Sequence, residues 1–303
     1  MRSKNRNCPP TNETNPISMM KYFLKIVLAA LIALGAVAAP GRFLHAGQPL
    51  PPPPQEEFIY NIEFLVFTQA AQAHLRIRRR GKNRYRAELI AETKGLIGIL
   101  MYGRKNHYIS DMEFDPKKRR FISRLYTKLV YRQNGVERTT AAIDTKNGLV
   151  RWKYFFRDKL IGEGVDPTPK GARVEDLLSA FFNFRLGSLG SLEPGRKMTL
   201  FTLPNYRAKA LKEDFSEEEK KFQKFEISIP SAKSTRAYRR KFGRSKEKGL
   251  LILVKVPKNL FGQETGEVRV WFDPKMTPVE ATVEDAILFG DVIGVLVKSK
   301  ISP

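Results

Sequence analysis

The sequence predicts a mainly β protein, a curved antiparallel sheet or incomplete β-barrel with one short packed helix. Three observations carry that expectation. Apolar and polar residues alternate with period two through most of the chain beyond residue 57; residues that favour turns interrupt the alternation at short intervals; and only residues 174–186 repeat their apolar positions at helical spacing.

Ahead of the alternating part lies an apolar run at residues 26–39, preceded by Lys21 and Lys25. A bilayer-spanning helix needs roughly 20 apolar residues, so this shorter run with a basic leader reads as an export signal. Cleavage is expected after Ala46, or after Ala38 with Ala36 at the minus-three position. An uncleaved signal anchor is the alternative, and translation from Met19 or Met20 would shorten the polar leader. Residues 47–57, with Pro49 and the prolines at 51–54, form a stiff extended spacer.

A single β-rich domain is expected over residues 58–300, with a split near residues 187–195 as the alternative. Phe58, Tyr60, Ile62, Phe64 and Val66 share one face of the first strand. Basic and apolar residues alternate at 74–78; Tyr85, Ala87, Leu89 and Ala91 share a face, as do Phe121, Ser123, Leu125, Thr127, Leu129 and Tyr131. Between these segments, residues 80–83, Asn134-Gly135 and 146–148 tolerate the positive φ of hairpin turns, which implies a meander. A strand at 149–156 is followed by a glycine- and proline-bearing break at 162–171. The helix at 174–186 places Leu177, Leu178, Phe181 and Phe182 together. Strands resume at 197–203, 224–229, 250–256, 267–273, 279–284 and 292–298, interrupted by a charged insertion at 206–248 whose first part, 206–221, reads as a short solvated helix or loop.

Charge and cysteine content narrow the function. The lone Cys8 precedes the apolar run, so a processed chain has no disulfide, thiolate metal site or cysteine nucleophile. The chain carries a net charge of +23, and +18 remains beyond residue 46. An exported protein with that field associates with anionic envelope surfaces, whereas nucleic acid is removed by export.

No catalytic constellation, metal site or cofactor motif is recognisable. His74 stands among arginines, and His107 has only Asp111 nearby. Glu175 and Asp176 suit a helix start, where the macrodipole favours negative charge. Glu280, Glu284 and Asp285 complete the carboxylates considered for glycan cleavage. Stronger signal lies in the aromatics and basic runs. Tyr60, Phe64, Trp152, Phe181, Phe182 and Trp271 are the candidate ligand-lining residues, with filled core as the alternative. Arg76, Arg78, Arg84, Arg86, Arg239 and Arg240 are the candidate anion-binding residues, with solvated hairpin ends as the alternative.

Three segments together resemble an uncharacterised bacterial envelope family, domain-of-unknown-function family 3108. They are the opening strand pair at 58–62 and 70–77, the helix at 176–185 with the turn Leu192-Glu193-Pro194-Gly195, and the terminal hairpin at 270–274, 277–281 and 289–292. The resemblance implies an exported β-rich protein with no reaction and no catalytic residues to carry over; the expected fold resembles the periplasmic lipoprotein carriers.

The resulting expectation is a non-enzymatic periplasmic or secreted protein that binds or carries an amphiphilic anionic ligand, a lipid or lipid-linked glycan. A structural protein docking on an acidic polymer or partner protein is the alternative, and a glycan-cleaving enzyme stands behind both. Oligomeric state is left open. Intact mass of the exported protein is expected to begin at Gly47 or Ala39; a chain retaining residues 26–39 would establish the anchor instead.

Overall fold

Period-two alternation yields fifteen strands in one sheet in the computed structural model, which describes residues 53–64, 67–100, 102–211, 216–242, 249–257, 266–274, 277–287 and 290–302. The export segment, its cleavage sites and Cys8 lie outside the described residues. The first meander comprises β1 (Gln55–Phe64), β2 (Phe67–Arg79), β3 (Arg84–Thr93), β4 (Lys105–Asp115), β5 (Arg120–Arg132), β6 (Gly135–Asp144), β7 (Leu149–Phe156) and β8 (Lys159–Pro167). The second comprises β9 (Val174–Glu175), β10 (Lys197–Thr202), β11 (Gln223–Ser228), β12 (Leu251–Lys255), β13 (Glu267–Phe272), β14 (Pro278–Ile287) and β15 (Gly290–Ser302). Neighbours pair antiparallel throughout, except β9 with β10. The two meanders join where β1 pairs with β15, from Gln55 against Ser302 to Phe64 against Val292.

Among the described residues four α-helices punctuate the sheet: α1 (Gly95–Leu100), α2 (Leu177–Arg185), α3 (Tyr206–Leu211) and α4 (Ala232–Phe242). The predicted packed helix is α2. It touches β3, β4, β5 and β10, although β4 and β10 stand nine places apart in the strand order. Laid flat, nine strand spacings would cover roughly 43 Å. A nine-residue helix is only about 14 Å long and about 10–12 Å across, so the sheet must curl around it. The strand order still ends in two unpaired edges, β8 and β9, which makes the architecture an open, curled sheet.

Polar side chains pin α2 in place. Asp176 caps it, accepting from the Leu178 and Ser179 amides at 2.8 and 3.0 Å, and its second oxygen accepts from Ser110 Oγ of β4 at 2.6 Å. Asn183 brackets Phe121 of β5: its Oδ1 accepts from the Phe121 amide at 2.7 Å and its Nδ2 donates to the Phe121 carbonyl at 2.8 Å. Arg185, at the last turn, pairs with Glu56 of β1. Around these anchors Leu178, Phe181, Phe182 and Phe184 pack into the apolar core.

Three details differ from the sequence expectation. The glycines at 162 and 164 do not break the chain but lie within β8. A Cβ at Gly162 would come 3.0 Å from Ala210 of α3, and one at Gly164 within 3.0 Å of Trp152, so these glycines permit close packing. In β5 the alternation does not run straight. A bulge between Ser123 and Leu125 adds Arg124 to the strand, turning Tyr126 and Val130 inward and leaving Leu125 and Tyr131 exposed. The opening of the charged insertion is not wholly solvated, since α3 buries Tyr206 and Ala208.

Replacing Asn183 with alanine should leave the buried Phe121 amide and carbonyl without partners and destabilise the fold by about 2–4 kcal/mol. Urea unfolding of the variant measures this directly, and an unchanged midpoint would show that α2 is held by apolar packing alone.

Candidate functional site

Packing within the curled sheet divides the six predicted ligand-lining aromatics. Phe181 and Phe182 join one buried ring cluster, in which Phe181 meets Phe182 at 4.7 Å, Phe182 meets Phe121 at 6.4 Å and Phe121 meets Tyr85 at 5.1 Å, while Tyr60, buried in the same core, meets Phe58 at 6.4 Å. Tyr60 donates to the Pro278 carbonyl at 3.3 Å, and burial raises its phenol pKa well above the ordinary value. Phe64 is half-buried against the same core. Trp152 is separate, stacked on Tyr206 with centroids 5.2 Å apart. Trp271 alternates with the inward Val270 and Phe272 and is buried beneath Arg239, whose guanidinium lies 5.3 Å from its ring. These rings face one another, other side chains and backbone.

The predicted anion-binding arginines also separate. Arg76 donates to Glu88 at 2.7 Å, and Arg86 grips Asp111 through two bonds of 2.7 and 2.9 Å. Burial pushes Glu88 up, but Arg76, His107 and Arg86 outweigh it and hold the carboxyl below its ordinary range. His107, 3.5 Å from Glu88, is lowered, chiefly by burial. Arg78 and Arg84 are exposed near the β2–β3 turn. Arg239 and Arg240 lie on α4, and Arg239 donates to the Gly249 carbonyl at 2.8 Å. The set therefore forms no single anion cradle.

A different surface combines apolar and basic residues. Between β3 and β4 the chain reads Lys94-Gly-Leu-Ile-Gly-Ile-Leu-Met-Tyr-Gly-Arg-Lys105. Gly98 donates to the Lys94 carbonyl at 2.8 Å and Gly103 to the Gly98 carbonyl at 2.7 Å, folding the segment into α1 and a turn. Gly98 is turned inward, where a Cβ would stand 3.2 Å from the Thr93 carbonyl. Helical spacing then puts Leu96, Ile99 and Leu100 on the outer side, 55%, 74% and 55% exposed, with Tyr102 beside them at 67%. Isolated exposed apolar residues are ordinary, whereas four on one short projection make it the candidate interaction surface.

Strand register places more of this chemistry at the same end of the sheet. Lys105 pairs opposite Tyr131, Arg132 opposite Gly135, and Glu137 opposite Phe156, so α1 and the turns at 133–134 and 157–158 share one rim. That rim exposes Arg157, Lys159, Leu160 and Ile161. Lys105 lies 5.7 Å over the Tyr131 ring. Arg132 and Arg207 approach Glu137 to 2.6 and 3.5 Å, and burial with the neighbouring Arg132 brings Arg104 down to about 10, still cationic at neutral pH. No sequence expectation covered 95–102. An uninterrupted run of nine uncharged residues between Lys94 and Arg104 was the available signal, too long for a hairpin turn and lacking strand alternation.

Among the described residues no group of three or more His, Cys, Asp or Glu side chains could hold a metal, and no helix is long and apolar enough to cross a membrane. The model of a family described as "Protein of unknown function (DUF3108)" matches residues 59–296. No curated protein matches the chain. A crystal structure of a "Beta-barrel-like Protein of Domain of Unknown Function DUF1849 from Brucella abortus" is similar at 11% identity and a TM-score of 0.42, over 83% of this chain and 99% of that one.

The pair joining α2 to β1 offers a separate test of the interior. Arg185 and Glu56 side chains are 6% and 9% exposed, and the guanidinium also stacks 4.9 Å from Phe58. Glu56→Gln leaves a buried cation short of its counter-charge and should cost about 3–5 kcal/mol. Adding Arg185→Met should recover part of that loss; a thermal and urea double-mutant cycle distinguishes the two.

Proposed function

Because the chain belongs to the family described as "Protein of unknown function (DUF3108)", whose description names no reaction, we propose a role from its own surface: a non-enzymatic, exported envelope protein that docks on anionic lipid. The observation that carries this reading is the α1 projection, with Leu96, Ile99, Leu100 and Tyr102 exposed between Lys94 and Lys105.

Each aliphatic side chain that leaves water for the acyl boundary contributes roughly 1.5–3 kcal/mol, and each nearby cation roughly 1 kcal/mol against anionic head groups. Arg157 and Lys159 at the same rim extend the cationic footprint, and the net charge of +18 beyond residue 46 guides the approach. An acidic polymer would use the cations but give the apolar projection nothing to enter. Lipid therefore fits better than the polymer reading. The carrier expectation places an amphiphile inside the sheet; the rim instead meets the amphiphile as an assembled surface, which suits the packed rings of the interior.

Flotation with vesicles of about 30% anionic lipid tests the proposal. The protein should bind, bind less at high salt, and lose at least about tenfold in affinity in Ile99→Glu/Leu100→Glu, whose positions are exposed and can change without disturbing the core. Equal binding by the variant would overturn the role of α1, and a stoichiometric amphiphile released from envelope-purified protein in native mass spectrometry would favour the carrier reading.

A further inference from the structure

At the opposite end of the strands from α1, three four-residue loops stand in a row: 80–83 between β2 and β3, 116–119 between β4 and β5, and 145–148 between β6 and β7. Strands β2 to β7 are consecutive neighbours, so successive loops lie two strand spacings, roughly 10 Å, apart and the row is roughly 19 Å long. Each loop carries exposed cations: Arg80 and Lys82 in the first, Lys117, Lys118 and Arg119 in the second, and Lys146 in the third. Among the described residues the nearby ion pairs use other cations, Arg86 with Asp111, Arg124 with Glu113 and Arg151 with Asp144, and none of the six joins one.

The acids at the loop edges are turned to the loops themselves. Asp115 accepts from the Lys117 and Lys118 amides at 3.0 and 3.1 Å, and Asp144 from the amide and side-chain Nδ2 of Asn147 at 3.1 and 2.8 Å. In the first loop Arg79 donates to the Gly81 and Lys82 carbonyls at 2.9 and 2.8 Å. These contacts shape the loops and leave the six cations to solvent. The second and third loops match in build, each opening after an aspartate and closing on a left-handed residue, but they differ at that last position. It is Gly148 with φ 64° in one and Arg119 with φ 49° in the other. Glycine occupies that region freely, whereas a side chain strains there. Arginine at 119 therefore adds a charge at a conformational cost that the matching loop avoids, and strained residues of this kind cluster at functional sites.

We propose that this row of loops binds an acidic polysaccharide laid across all three. A linear polyanion meets the loops in turn and draws on every cation, whereas a small anion reaches only one loop. The loops expose no large apolar or aromatic side chain, so they have nothing to bury in a bilayer and no ring on which a nucleic-acid base would stack. The surface is separate from α1 and does not rest on the lipid reading.

Biolayer interferometry of the exported protein on immobilised polygalacturonate tests the site. The loop variant Lys117→Gln/Lys118→Gln/Arg119→Gly is compared with Lys153→Gln/Lys224→Gln/Lys255→Gln, which removes the same charge from exposed positions on the strands. The loop variant should bind at least about tenfold more weakly and the strand variant within about twofold of the parent, and raised salt should weaken all three. Arg119→Gly alone, which relieves the backbone, should keep or raise the thermal midpoint while weakening binding about threefold, a loss that a purely structural role would not produce. Equal losses in the loop and strand variants would reduce the effect to net charge and overturn the proposal, as would no binding by the parent or unchanged binding by the loop variant. Tighter, equally loop-dependent binding of single-stranded DNA would replace the polysaccharide with nucleic acid, and an equal loss of vesicle binding by the loop variant would make the row a lipid surface.

Discussion

The structure depends on filling the inside of a curled sheet. Fifteen strands turned around so short a helix present a large apolar inner face, and water must be excluded from all of it. The aromatic side of α2 supplies the bulk, while Asp176, Asn183 and Arg185 reach three different strands, β4, β5 and β1. Each of these polar contacts contributes modestly against water, but each is costly if half-made in a dry interior. Together they leave α2 one seating, and with it one curvature for the sheet.

That seating separates the two ends of the strands chemically. At one rim the α1 projection and the basic turns face outward; at the other, beyond strands roughly 35 Å long, lies a cavity lined by Arg120, Ser123, Thr168, Arg173 and Glu175. Along the convex face between them charges are paired across neighbouring strands, as in Arg76 with Glu88, Arg86 with Asp111 and Arg124 with Glu113. These pairs neutralise acids and bases alike, so the excess positive charge of the composition remains on the surface.

The meander and its packed helix were legible in the sequence because alternation, turn residues and helical spacing are local signals. Asn134-Gly135 and Lys146-Asn147-Gly148 do sit between paired strands, and Asp176 does open the helix. Features set by distant partners were not legible. Gly162 and Gly164 look like a break until Trp152 and Ala210 are seen against them. The bulge at Arg124 reverses the facing of Leu125 and Tyr126 without leaving a mark on the pattern. The site was harder still. Arg120, Ser123 and Glu175 are far apart or unremarkable in the chain, and only folding brings these residues to the lining of one cavity.

The pairing of β1 with β15 gives this architecture a temporal order. Among the described residues β1 is the first strand and its partner β15 the last. Hairpins β1 to β8 can form as soon as they emerge, since each pairs with its sequence neighbour, but one edge of β1 stays open until residues 290–302 arrive. The sheet is therefore complete only when both strands of that seam are present, although most of its hairpins are local. Such non-local closure is intrinsically slow, so the seam between the two meanders is expected to be the last part of the sheet to form.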